Sequence, residues 1–153
     1  MNAKYTKLIA NNKKARHNYQ IDDEYEAGIV LMGSEVKAIR EGRVSFKDSY
    51  ADIKRGEVFL RRLHISPYEF AYNANHDSLR TRKLLLHSHE IKKLVGKIKE
   101  QGYTLVPLKI YFKNDKIKIL LGLGKGKKLY DKRESIKQRD VKRDMDRERK
   151  KYS

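Results

Sequence analysis

Asp22, Asp23, Glu24 and Glu26 form a short acidic run, the one place in this chain where general acid–base or Mg²⁺ chemistry could reside. In an alternating strand Glu24 and Glu26 share a face, as a metal-binding pair of carboxylates would have to. Nothing nearby supplies a nucleophile, and acidic runs of this kind more often form a solvated strand edge. His87 and His89 would also share a face if extended, but no third ligand stands at metal spacing, so they read as helix-entry residues. The chain has no cysteine, which removes disulfides, Cys-based zinc sites and thiol catalysis. The expectation is a cytoplasmic protein with no catalytic residue, no metal and no cofactor.

Cationic side chains give a stronger signal. Asn12, Lys13, Lys14, Arg16 and His17 place three permanent cations and two hydrogen-bonding side chains just ahead of a strand, which suits phosphate and sugar contacts. Arg80, Arg82 and Lys83 precede an apolar run, and Lys116 and Lys118 fall on the outer side of the last strand. The formal charge is +17 on 153 residues. Repulsion on that scale weakens a compact state unless a partner neutralises it, and a nucleic-acid backbone is the usual partner. A membrane is a poor alternative: no stretch reaches the roughly 20 apolar residues of a span, the N-terminus lacks a signal-type apolar run, and the basic segments have no apolar face. Three basic clusters from distant parts of one small domain suit a folded RNA better than a linear strand. Tyr5, Tyr19, Tyr25, Tyr50 and Tyr68 could stack on bases, though those in strands fit half-buried positions better.

The elements that position these groups follow from periodicity and punctuation. Residues 1–11 read as a flexible basic lead-in. From His17 to Leu31, Tyr19, Ile21, Asp23, Tyr25, Ala27 and Ile29 share one parity, predicting a strand or two short strands with a bulge near Asp22–Asp23. Ser34 is placed to cap a short helix from Glu35 to Glu41, stopped by Gly42. Two strand-like runs flank Arg55–Gly56 as a hairpin, and residues 66–78 read as a loop. Ser88 caps the clearest helix, with Ile91, Leu94, Val95 and Ile98 on one face and Gly102 at its end. Strands Tyr103–Phe112 and Lys116–Leu123 meet at Asn114–Asp115, with Ile117, Ile119, Leu121 and Leu123 pointing one way. Five to seven strands with short helices favour a mainly β fold, a small antiparallel barrel of oligonucleotide-binding type over residues 12–124. Residues 125–153 are strongly basic with few, unevenly spaced apolar residues, so they are expected to be disordered when free.

The blocks NKKARHNYQIDDEYEAGIVLMGSEVKAIREG, SFKDSYADI, RTRKLLLH and GLGKGKKLYDKR closely resemble the small protein B family, the SsrA-binding proteins of bacterial trans-translation. The resemblance runs from about Asn12 to about Arg139. It implies a barrel of six or seven strands that binds the tRNA-like domain of transfer-messenger RNA. It further implies delivery of that RNA, with elongation factor Tu acting through the charged RNA, to a stalled ribosome for rescue and tagging of the nascent peptide. Such an adaptor is a monomer in this reading, and its tail becomes helical against small-subunit rRNA in the empty message channel.

Position by position, the resemblance implies RNA contacts for Asn12, Glu26, Leu85 and Lys118, and a decoding-side position for His17. Glu26 would add specificity by accepting hydrogen bonds from bases or by orienting a cation such as Arg16. Lys125, Gly126, Lys127, Lys128, Tyr130, Asp131, Lys132 and Arg133 match segments needed on the ribosome after RNA binding. Tyr130 stands where some members carry histidine. The alternative readings are a nonspecific single-stranded RNA-binding barrel, indifferent to RNA fold, and a metal-dependent nuclease using the acidic run.

Overall fold

The computed structural model describes residues 6–127. In chain order these form β1 (Thr6–Asn11), α1 (Lys13–Asn18), β2 (Tyr19–Ile29), α2 (Gly33–Arg40), β3 (Val44–Ser45), β4 (Tyr50–Lys54) and β5 (Glu57–Arg61), then β6 (His64–Ile65), β7 (Arg82–Leu85), α3 (Ser88–Gln101), β8 (Thr104–Lys113) and β9 (Lys116–Gly126). All strand pairings are antiparallel. Strands β8, β4, β5, β7, β2 and β9 follow one another around a ring that the β8–β9 pairing closes, and β1 runs along the remaining edge of β8. The small, mainly β barrel expected from the pattern is therefore present. Among the described residues no helix is long and apolar enough to cross a membrane.

Ring closure depends on alternation. Ile119, Leu121 and Leu123 of β9 point inward with Ala27 of β2, Val58 and Leu60 of β5, Leu84 of β7 and Ile110 of β8, all almost fully buried. Leu94 of α3 plugs the same core, with Ile91 and Ile98 packed beside it. The expected bulge in β2 lies between Ile21 and Asp23, and it changes which face the odd residues present. Tyr25 and Ala27 join the interior, whereas Tyr19 and Ile21 pack outside the barrel wall against Ala15 of α1, Val106 and Leu108. A matching bulge in β8 falls between Pro107 and Lys109, where a proline that cannot donate to the ladder is tolerated.

The Arg55–Gly56 hairpin forms as expected, both residues taking positive φ (55° and 76°), the two-residue turn that matches strand twist. Gly102 ends α3 at φ 70°. Four expectations need correction. Residues 6–11 are not a flexible lead-in but strand β1, paired with Lys109–Lys113, because β8 would otherwise leave that edge open. Ser34 is not a cap: α2 starts at Gly33, and the Ser34 hydroxyl bonds buried His76 Nδ1 at 2.8 Å. Ser88 is the first residue of α3, with His87 as its N-cap. Lys125 and Gly126 belong to β9, opposite Gln20 and Tyr19, and the Lys127 N–H bonds the Asn18 carbonyl. The segment from Lys128 to Ser153, with Tyr130, Asp131, Lys132 and Arg133, lies outside the described residues.

Candidate nucleic-acid interface

One row of residues crosses five strands on the outside of the barrel. Leu8 of β1 opposes Tyr111 of β8, Tyr111 opposes Lys118 of β9, Lys118 opposes Gly28 of β2, and Gly28 opposes Leu85 of β7. Leu8 and Leu85 are more than half exposed at the two ends of this row. Gly28 leaves the middle open: a Cβ there would lie 3.4 Å from Leu85 Cβ and 3.8 Å from the Lys118 ammonium. The register thus sets a cation and an apolar side chain side by side over bare backbone. Residues of this row, with Leu31, Val36 and Lys116, line a shallow cleft of about 340 Å³ beside the Asn114–Asp115 turn.

Glu26, two residues before Gly28, faces the same side. Its carboxylate accepts hydrogen bonds from the Tyr111 hydroxyl (2.5 Å) and the Lys113 ammonium (2.9 Å). Partial burial opposes its ionisation, but those bonds and the positive charges of Lys113 and Lys118 outweigh it and hold the carboxyl below its usual pKa. Tyr111 is pushed the other way, by burial and then by Glu26. Glu26 is therefore a fixed anion inside a cationic patch. The cation that holds it is Lys113, not Arg16, whose guanidinium pairs with Glu24 at 2.8 Å. Sequence spacing did not identify Lys113 or Tyr111 as partners. Their shared parity with Lys109 on a strand paired to β9 is the signal that could have.

The cluster around Arg80, Arg82 and Lys83 separates. Arg82 points inward and is fully buried, its guanidinium bonded to Glu35 Oε2 and to the Leu63 carbonyl. It leaves the set of RNA contacts, because an inward β7 side chain between β5 and β2 has no path to solvent. Arg80 bonds the other oxygen of Glu35 at 2.5 Å and keeps a third of its side chain exposed. Lys83 is exposed and pairs with Glu57 at 3.2 Å. Glu35 is itself buried. Burial would raise its pKa, yet hydrogen bonds from Arg80 and the Met32 N–H and the charge of Arg82 hold it low.

Asn12 stands at the joint of β1 and α1. Its N–H bonds the Leu108 carbonyl and its side-chain amide donates to the Pro107 carbonyl at 2.8 Å, fixing α1 on the β8 bulge. Lys13 and Lys14 project from α1 beside a groove of about 840 Å³ that Tyr19, Lys47 and Tyr50 also line. His17 lies on the same helix, half-buried. The structure therefore collects Glu26, Leu85, Lys116 and Lys118 into one patch and sets Asn12, Lys13 and Lys14 at a second. The acidic run is dispersed among partners: Asp22 accepts from Tyr103, Asp23 from Lys97 and Tyr25, Glu24 from Arg16. His87 and His89 stack on each other at the start of α3. Among the described residues no group of three metal-ligating side chains gathers.

Comparisons with known proteins show what the chain is similar to. The family model described as SmpB protein matches residues 9–151. A SsrA-binding protein of Geobacillus sp. (strain WCH70) is 63% identical over 141 residues, covering 92% of this chain and 91% of the relative. The SsrA-binding protein of Bacillus subtilis (strain 168) is 61% identical over the same length, covering 92% and 90%. A solved structure described as "tmRNA-SmpB: a journey to the center of the bacterial ribosome" contains a chain 52% identical to this one, with a TM-score of 0.65 over 78% of this chain and 85% of that one. With a family model that matches residues 9–151 and relatives that match nearly end to end, the chain belongs to the SmpB family.

Proposed function

We infer that this protein binds transfer-messenger RNA through the outer face of β2, β7, β8 and β9 and brings it to stalled ribosomes for trans-translation. The observation that carries the reading is the single row in which Lys118 and Leu85 flank Gly28, with Glu26 held beside them by Tyr111 and Lys113. A lysine there supplies phosphate attraction, and an exposed leucine over a glycine lets a ribose or base edge approach the sheet. A carboxylate whose charge is compensated by the Lys113 ammonium, and which also accepts from the neutral Tyr111 hydroxyl, sits next to RNA without simple repulsion, and its remaining acceptor capacity reads base amino groups. Family membership through relatives named SsrA-binding protein supports the same assignment.

The work is that of an adaptor, not an enzyme, and its place is the cytoplasm, where bacterial ribosomes are. Elongation factor Tu meets it through the charged RNA, and the protein acts as a monomer. The basic segment after Lys127 enters the empty message channel, where polyanionic rRNA removes its self-repulsion. A competition experiment tests the RNA assignment. The tRNA-like domain of transfer-messenger RNA should displace a labelled copy of itself from the protein far better than an unstructured RNA of equal length. Equal displacement by both would favour a nonspecific single-stranded binder instead.

A further inference from the structure

We propose that the loop between β6 and β7 is a second RNA contact, a preformed platform on which Phe70 and Tyr72 stack against unpaired nucleobases. This inference rests on the reading that the protein binds structured RNA, and it adds a site away from the Lys118 row. The loop is built rather than loose. Asn75 closes it like a clasp: its Oδ1 accepts the Tyr68 N–H at 3.0 Å and its Nδ2 donates to the Tyr68 carbonyl at 2.8 Å. His76 then anchors the base of the loop, buried between the Ser34 hydroxyl and the Ile65 carbonyl, each at 2.8 Å. Inside the clasp Ala71 N–H bonds the Tyr68 carbonyl, and Tyr72 sits at φ 48°, a left-handed conformation a bulky side chain rarely adopts. Sequence position alone does not place an aromatic there without strain.

The strained, clasped loop holds two rings in water. Phe70 is 60% exposed and Tyr72 82%, while Tyr68 packs edge-on against Phe70 with the Lys37 ammonium 5.4 Å from its ring centre. Only Ala71 separates the exposed rings, and polar residues bound them on either side: Glu69 precedes Phe70, and Asn73 follows Tyr72. The apolar stretch is three residues long, small beside the area a stable protein partner buries. Nor does the loop hold a phosphate array, since its own charges are Glu69, Asp77 and Arg80, and Arg80 is already paired with Glu35. What remains is a pair of flat π faces with an amide beside them, which fits the face and edge of an unpaired base. The charge of the rest of the protein keeps RNA close, and the clasp lowers the ordering cost of stacking.

The chain contains no tryptophan, so Tyr72→Trp creates a single fluorescent reporter at the site. Its emission is followed on adding the tRNA-like domain of transfer-messenger RNA and, separately, ribosomes with an empty message channel. Quenching in either arm supports the platform and names the source of the base. In parallel, the double variant Phe70→Ala/Tyr72→Ala is titrated against the RNA that quenches. Affinity should fall on the order of tenfold with the salt dependence unchanged, since stacking displaces no counterions. Tyr72→Phe should restore most of the loss in a Tyr72→Ala background comparison. Unquenched emission in both arms while Lys118-dependent RNA binding proceeds normally overturns the platform and leaves the main site standing. Quenching by elongation factor Tu without RNA also overturns it, assigning the loop to a protein. Absence of RNA binding by the unmodified chain would refute the parent reading instead.

Discussion

Glu35 and Glu26 are both glutamates held by neighbouring donors, three for Glu35 and two for Glu26, and the barrel puts them to opposite uses. Glu35 is sealed inside with Arg82, joins α2 to β7 and has no contact with solvent. Glu26 lies outside, with about a third of its side chain exposed beside Lys113 and Lys118. Arg82 and Lys118 diverge in the same way: one cation is consumed by the fold and the other stands on the outer face of the sheet. Charge type therefore says little by itself, and the face of the strand decides.

Several measurements would break or sharpen this division. Removing Glu35 should have the largest effect. Glu35→Ala leaves the Arg82 guanidinium buried without its partner, and urea unfolding should show a loss of about 3–5 kcal/mol. A loss under 1 kcal/mol would mean the pair is far less buried than the structure has it. Lys118→Ala should leave stability nearly unchanged but weaken binding to the tRNA-like RNA. The slope of log affinity against log salt should fall by roughly 0.7–0.9, one phosphate contact. If Arg80→Ala or Lys83→Ala lowers that slope equally, the cationic surface is broader than the row centred on Gly28.

Acid should act through the inner pair. Both Glu35 and Glu26 are held below the usual value of 4.5, so the unfolded chain binds protons first as pH drops. Their stabilisation is thus complete above that pH and is lost as pH falls through the folded-state values. Glu35→Gln should start less stable and decline less steeply below about pH 4.5 than the unmodified protein. A parallel decline would show that Glu35 contributes nothing to the acid limb. The smallest effect belongs to the outer pair. Tyr111→Phe removes one hydrogen bond to Glu26 and should cost about 0.5–1.5 kcal/mol, with a measurable rise in the Glu26 pKa by NMR titration. An unchanged Glu26 pKa would show that Lys113 and Lys118 alone hold that carboxylate.

Much of the scaffold was legible because period and punctuation are local. The β9 alternation, the Arg55–Gly56 turn, the α3 face and the bulge near Asp22–Asp23 all follow from spacing within a few residues. Strand β1 was not legible: residues 6–11 gain their place only from the open edge of β8, a partner about a hundred positions away. The same holds for Arg82, whose burial depends on Glu35 approaching from α2. Strand parity already singled out Lys118 and resemblance to a family added the RNA roles of Glu26 and Leu85, whereas their juxtaposition through Gly28 emerged only from the register. Tyr111 and Lys113 went unremarked because nothing in their own segment sets them apart from other strand residues.

The central claim is that the outer row, not the inner ion pair or the opposite end of the barrel, meets the RNA. Because the chain lacks cysteine, a single Leu85→Cys substitution carries a photo-crosslinker without background, and Glu100→Cys serves as the control at the exposed C-terminal end of α3, next to the end of the β2–β9 ladder remote from Gly28. Irradiation in complex with the tRNA-like domain should crosslink RNA from position 85 and not from position 100. Efficient crosslinking from position 100 with none from position 85 would contradict the account.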